Sequence, residues 1–203
     1  MIKYVLASGS PRRWELLEQA GLSFEISKAQ GEENYTKETP ADIVEELSYQ
    51  KADEAAKKYL QKYQNDTVVI IGADTIVAYG NEIMGKPQNA ADAEAMLTKL
   101  QGNTHQVYTG VTLIVLDKGQ EKRGQEVITF HEKTDVQMYP MTSEQIAAYV
   151  ATGEPMDKAG AYGIQGKGAV FIEKIDGDYN NVVGLPLAKI FHTVEKTFGF
   201  SIS

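Results

Sequence analysis

The sequence predicts an α/β protein, and three observations carry that reading. Val68-Val69-Ile70-Ile71 is a run of four apolar residues, as expected of a strand buried on both faces of a sheet. Tyr4-Val5-Leu6-Ala7 enters a small-residue turn and continues as the helical pattern Trp14-Glu15-Leu16-Leu17. Further segments of 3.6-residue period, most opened by a capping residue, then alternate with apolar or alternating runs along the chain.

The first turn, Ser8-Gly9-Ser10-Pro11-Arg12-Arg13, reads as a helix N-terminus, with Ser10 at the N-cap, Pro11 at the first helical position and Gly21 closing the helix. Arg12 and Arg13 in the first turn oppose the helix dipole at a cost of about 0.3–1 kcal/mol each. A bound phosphate reverses that sign, because it pairs with both guanidiniums and with the unpartnered N–H groups. Two solvated surface arginines are the alternative. Phe24-Glu25-Ile26-Ser27 follows as a strand. The polar loop from Gly31 to Lys37 carries Glu32-Glu33, either metal ligands or solvated carboxylates.

Thr39-Pro40-Ala41-Asp42 opens a long helix, for which Ile43, Leu47, Ala52, Ala55, Ala56 and Leu60 form the expected buried stripe. Lys51 beside that stripe reads by default as a lysine snorkelling to water. Asn65-Asp66 is a turn, and the buried strand beyond it contains Gly72-Ala73-Asp74-Thr75. An aspartate within an apolar run needs a partner, a metal or a shifted pKa, unless it caps a bend where the strand surfaces. Gly72 and Ala73 would let a ligand approach the backbone.

Tyr79-Gly80-Asn81-Glu82 is a turn, and Lys86 between Gly85 and Pro87 sits in an extended loop. Asn89 caps a helix that Gly102 ends. Residues 105–115 alternate with period two, 126–138 form the answering strand, and Asp117-Lys118-Gly119-Gln120 is the hairpin turn. His105 reads as a structural histidine, and His131 and His192 lack partners at metal-ligand spacing. Thr142-Ser143-Glu144-Gln145 is a capping box. The glycine-rich stretch 153–168 is no Walker A loop, because Gly follows Lys167. It reads as a loop whose backbone approaches a ligand, with a tight structural turn as the alternative. The Gln165 amide has both the donor and the acceptor needed to read a base edge. Residues 169–175 read as a strand, 176–178 as a turn, and Leu185-Pro186-Leu187 opens a last helix.

Composition narrows the function classes. The chain has 203 residues, 42% of them hydrophobic, enough for one core or one core with two lobes and a cleft. There is no cysteine, which excludes disulfides, thiolate catalysis and cysteine zinc sites. A net charge of −8 argues against broad binding to nucleic acid. No run approaches the roughly 18 apolar residues of a membrane span, and no signal-peptide pattern opens the chain, so a cytoplasmic protein is expected.

Several stretches together resemble the Maf-like nucleoside triphosphate pyrophosphatases: Ser8-Gly-Ser-Pro-Arg-Arg-Trp-Glu-Leu-Leu17, Gly72-Ala-Asp-Thr75, Gly85-Lys-Pro87, Asp157-Lys-Ala-Gly-Ala-Tyr162, Ile164-Gln-Gly166 and Val182-Val-Gly-Leu-Pro186. They span nearly the whole chain in order. The resemblance implies a single domain over residues 1–203, an α/β fold with a mixed, twisted central sheet flanked by helices, and two lobes with a substrate cleft between them, as in inosine triphosphate pyrophosphatases. It implies hydrolysis of a nucleoside triphosphate to the monophosphate and pyrophosphate with a divalent cation, normally magnesium, with manganese as the alternative. Arg12, Thr75 and Gln165 resemble the specificity residues of the branch acting on dTTP and UTP, with modified pyrimidine nucleotides as an extension.

The resemblance makes Asp74 the proton acceptor, Glu33 and Asp74 the metal carboxylates, and Ser8, Arg12, Arg13, Lys51 and Lys86 the phosphate-binding residues. It also implies a homodimer, while the charge of −8 and the lack of an apolar span speak against nucleic-acid and membrane partners. The family's association with inhibited septum formation supplies the alternative, a nucleotide-binding regulator without significant catalysis. The chain departs from the family pattern at Glu32-Glu33, where many members have Asp-Glu, and at Gln101-Gly102 in place of Ser-Gly. It is also longer near residues 55–65 and 118–125.

Overall fold

Strand and helix alternate through most of the chain: β1 (Ile2–Ala7), α1 (Pro11–Gln19), β2 (Phe24–Ile26), α2 (Pro40–Lys62), β3 (Thr67–Tyr79), β4 (Glu82–Met84), α3 (Ala90–Leu100), β5 (Thr104–Leu116), β6 (Gln125–Met138), α4 (Ser143–Val150), β7 (Ile172–Asp176), α5 (Tyr179–Val183) and α6 (Leu187–Phe198). The computed structural model describes residues 2–31, 33–63, 66–116 and 125–199. The predicted hairpin turn at 117–120, Glu32 and Asn65 lie outside the described residues. The sheet runs β2-β1-β3-β5-β6-β7, with β4 paired to β3. β1 is parallel to β2 and β3, whereas β4 and β7 are antiparallel to their neighbours, so the sheet is mixed as expected.

The chain divides into two compact units, the first comprising Met1–Asp74, Thr109–His131 and Gly184–Ser203, the second Thr75–Tyr108 and Glu132–Val183. β3, β5 and β6 each contribute residues to both.

In the first unit, β1 and β3 pair from Ile2↔Thr67 to Ala7↔Gly72. α2 packs its small-residue stripe on the sheet, in a core that includes Val5, Ala52, Ala56, Tyr59, Ile70 and Ile114. Two glycines set how close it lies. A methyl group on Gly72 would collide with the Ser48 carbonyl and stand 2.8 Å from Ala52 Cβ. A methyl group on Gly110 would collide with the Val44 carbonyl and stand 2.7 Å from the Glu45 nitrogen. The predicted stripe is correct except at Leu60, which is exposed, while Tyr59 is buried. The spacing Ala52, Ala55, Ala56, Tyr59 keeps one helical face, and Leu60 falls about 100° further round. Between helix and sheet, Ser48 Oγ donates to the Glu45 carbonyl at 2.9 Å and lies 2.9 Å from Thr112 Oγ1, which lies 2.9 Å from Thr129 Oγ1.

In the second unit, Val77, Leu97, Leu100, Val136, Met138 and Ile146 anchor the core. The predicted caps are present. Thr39 and Asn89 accept the backbone N–H of Asp42 and Asp92, and Thr142 with Gln145 forms the capping box. β5 alternates only over its first residues, and from Thr109 onward it is buried on both faces. One expectation about the C-terminal third is corrected. Residues 169–171, expected to open the last strand, belong instead to a 3-10 helix over 166–171, just after the Lys167 and Gly168 N–H groups that bond to Glu154, and the strand begins at Ile172. The lead-in to the last helix contains the short helix α5. Among the described residues, no helix is long and apolar enough to cross a membrane.

Candidate active site

The turn after β1 is built around Ser8. Its side chain is buried, and Oγ accepts from the Ser10 N–H at 3.2 Å and from Arg13 Nη1 at 3.0 Å. Arg13 Nε donates to the Gly184 carbonyl at 2.7 Å, and Trp14 Nε1 donates to the Ser8 carbonyl at 3.2 Å. Arg13 is 8% exposed and therefore braces the loop from inside. Burial lowers its pKa, Asp74 raises it, Arg12 lowers it and Glu33 raises it, so these charges share one neighbourhood. A guanidinium stays protonated through such a shift. Ser10 occupies the N-cap position as predicted, but its side chain makes no capping hydrogen bond. The opening of α1 thus combines an N-cap side chain that does not cap with two arginines and no acidic residue in the first turn, the charge pattern an anion would complete.

Asp74 lies within β3, not at a bend, and is 7% exposed. Of the expected remedies for a buried carboxylate, the structure supplies a partner. Lys51 Nζ is 2.5 Å from Asp74 Oδ1 and 2.9 Å from Glu33 Oε1. The Lys51 side chain is 11% exposed, which corrects the snorkelling reading. The glycine contact explains why: Gly72 lets α2 sit on β3 at Ala52, so the next residue back, Lys51, reaches the carboxylate two residues beyond Gly72. Glu33, on its loop, is largely exposed. The first unit therefore gathers Ser8, Arg12, Arg13, Glu33, Lys51 and Asp74, six of the sequence-predicted site residues. Among the described residues, no group of three or more His, Asp or Glu could hold a metal on its own.

Thr75, Lys86 and Gln165 belong to the second unit. Thr75 continues β3 directly from Asp74. Lys86 is exposed, in a loop tied down where the Gly160 N–H donates to the Gly85 carbonyl at 3.1 Å. Gln165 is half-buried and extended, with Gly166 at φ +69° directly after it. The glycines around it approach protein groups. A methyl group on Gly166 would stand 2.8 Å from Glu154 Oε2, and one on Gly168 would collide with the Gly163 carbonyl and crowd Tyr149 Oη. That supports the structural-turn alternative for these glycines. Glu154 and Tyr149, which hold the loop, had no role in the sequence reading. Their signal was a carboxylate heading a run of glycine N–H groups.

His105 is structural, as expected. It is fully buried, its Nε2 lies 2.7 Å from Tyr162 Oη, and burial pushes its pKa down to about 4 against a smaller opposing pull from Asp135. His131 pairs with Glu45 at 2.7 Å.

A mixed sheet with helices, an arginine-bearing helix opening and a lysine-clasped carboxylate on the central strand β3 define a class, and the chain belongs to the Maf-like protein family, whose model matches residues 3–197. Within that family it is similar to the dTTP/UTP pyrophosphatase of Agathobacter rectalis, 49% identical over 203 residues that cover 97% of this chain and 98% of the relative. The dTTP/UTP pyrophosphatases of Bacillus thuringiensis subsp. konkukian and Bacillus anthracis are each 48% identical over 197 residues, covering 97% of this chain and 96% of theirs.

Proposed function

We propose that this protein is a nucleoside triphosphate pyrophosphatase that hydrolyses dTTP and UTP to the monophosphate and pyrophosphate. The observation that carries the reading is the buried Asp74 carboxylate held by Lys51 beside the arginine loop. The names of the relatives, dTTP/UTP pyrophosphatases at 48–49% identity, support the substrate class.

In this reading Asp74 accepts a proton from the attacking water, whose oxygen forms the new bond to the α-phosphorus while the α–β anhydride bond breaks and pyrophosphate leaves. Lys51 fixes the orientation of the Asp74 carboxylate, and Arg12, Lys51 and Lys86 offset the charge of the phosphates. Arg13 holds Ser8 and the loop in place, which presents the first-turn N–H groups of α1 to an anion. Thr75 and Gln165, with Arg12, set the preference for a pyrimidine. A base with the wrong edge leaves the Gln165 amide unpaired, and such mismatches give large discrimination.

A divalent cation, magnesium or alternatively manganese, fits the donor set. Glu33 and Asp74 offer oxygen ligands that already converge on one ammonium group, and a magnesium ion needs only one or two carboxylates when phosphate oxygens and waters complete its shell. A cation held there would neutralise phosphate charge and would polarise the water. A cytoplasmic homodimer completes the proposal.

Pyrophosphate release from a panel of nucleoside triphosphates with magnesium tests the reading. Turnover of dTTP and UTP ahead of purine nucleotides is expected. Tight binding without release would replace the enzyme with a nucleotide-binding regulator.

A further inference from the structure

Gln165 lies in a stretch whose backbone is fastened on both sides by two side chains that no substrate role has claimed. Before it, the Gly163 N–H donates to Tyr149 Oη at 3.2 Å. After it, the N–H groups of Lys167 and Gly168 donate to the two carboxylate oxygens of Glu154 at 2.9 and 3.0 Å. The two anchors are themselves joined, because Tyr149 Oη donates to Glu154 Oε1 at 2.9 Å. The Glu154 backbone is held in turn, its carbonyl accepting from Lys158 Nζ at 2.7 Å.

We infer that Glu154 and Tyr149 are positioning residues for base selection, acting through Gln165 by clamping the backbone on either side of it. The inference rests on the reading of Gln165 as the base-reading residue. The geometry supports it over a general stabilising role in two ways. The clamp holds the backbone at Gly163 on one side and at Lys167 and Gly168 on the other, and Gln165 lies between these anchors. Its acceptors are also matched to backbone donors: a carboxylate offers two oxygens to two adjacent N–H groups, as in an anion-binding turn turned inward. The charges keep this sense. Burial pushes the Glu154 carboxyl up, but the N–H groups of Lys167 and Gly168, the Tyr149 hydroxyl and the Lys158 charge together hold its pKa below the usual value. Burial and the Glu154 carboxylate raise the Tyr149 phenol, which stays a donor. A hydrogen-bonding amide discriminates only when its position is fixed, since a displaced donor and acceptor fit the wrong base as well as the right one.

The test is the ratio of kcat/KM for UTP to that for CTP, which reverses the donor and acceptor on the pyrimidine edge. It is measured for the wild type, Glu154→Gln, Tyr149→Phe, Gln165→Ala and the Glu154→Gln/Gln165→Ala double variant. The ratio is expected to fall by about 10-fold or more in Gln165→Ala and in Glu154→Gln, and by less in Tyr149→Phe. The double variant is expected to fall no further than Gln165→Ala, the non-additivity of residues acting through one group. The loss should appear mainly in KM for UTP, with thermal midpoints near that of the wild type; a purely structural role would not move the ratio. A wild-type ratio in both Glu154→Gln and Tyr149→Phe, alongside a lost ratio in Gln165→Ala, overturns this inference and leaves the Gln165 reading intact. A wild-type ratio in Gln165→Ala overturns both. Should Glu154→Gln fold poorly, Tyr149→Phe decides alone.

Discussion

The two units build their functional parts by opposite means. The first collects charged side chains from four separate places, the turn at 8–13, Glu33, Lys51 and Asp74; the fold joins the last three by ion pairs and sets the turn in their electrostatic neighbourhood. The second, besides Thr75 and Lys86, holds Gln165 on one continuous stretch, 149–168, whose backbone is tied by two side chains of the same stretch. Charges gathered from afar depend on how closely helix and sheet pack. A clamped loop depends on local hydrogen bonds and on glycine where a side chain would not fit. Damage to the first should therefore be read in turnover and in global stability, and damage to the second in selectivity.

The sharpest way to break that contrast is Asp74→Asn. Pyrophosphate release from UTP and dTTP should fall by roughly 10²–10⁴-fold, the usual worth of a positioned general base. The fold should persist, because Lys51 keeps Glu33 as a partner. Wild-type turnover in this variant would sink the assignment of Asp74.

Acid titration probes the second unit away from its loop. His105 holds a folded pKa of about 4 against an ordinary value of 6.5, so the unfolded chain takes up the proton first. The stabilisation is complete above pH 6.5 and is lost progressively as the pH falls to about 4. The gap is worth about 3 kcal/mol, and His105→Gln should flatten the loss of stability across that window in denaturant titrations. An unchanged slope would show that other groups govern it.

Gly110→Ala tests the packing on which the first unit depends. The added methyl meets the Val44 carbonyl, and α2 must move away, at a cost of about 1–3 kcal/mol of stability by chemical denaturation. Lys51 rides on the same helix, so turnover should fall more than UTP/CTP selectivity does. Equal losses of both would erase the distinction between the two units. The smallest effect is expected at Leu60. The side chain is exposed, and Leu60→Gln should change stability by no more than about 0.5 kcal/mol.

Much of the fold was legible because its signals are local. The caps at Thr39, Asn89 and Thr142 and the apolar run at 68–71 each carry their own instruction. Leu60 was misplaced because a stripe of alanines fixes a helical face only loosely, so one residue of drift exchanges it for Tyr59. The apolar side chains of residues 169–171 read as strand, yet neighbouring N–H groups are committed to Glu154, a bond that no periodicity reveals. In the site, Asp74 stood out as a charge in an apolar run. Lys51 did not, since a lysine beside a helical stripe looks the same whether it faces water or a buried carboxylate. Only the close seating of α2 over Gly72 separates the two. The glycines around Gln165 read as a place where a ligand approaches the backbone, yet the groups they approach are the protein's own Glu154, Gly163 carbonyl and Tyr149, a distinction that no sequence pattern carries.

The hydroxyl contacts beneath α2 have a consequence of their own. Each hydroxyl owns a single proton. Ser48 donates its proton to the Glu45 carbonyl, so it can only receive from Thr112, and Thr112 in turn can only receive from Thr129. The three protons must all point the same way, from β6 through β5 into the helix. The contact is thus a one-way arrow, and its polarity distinguishes one seating of the helix from any that merely matches it in shape.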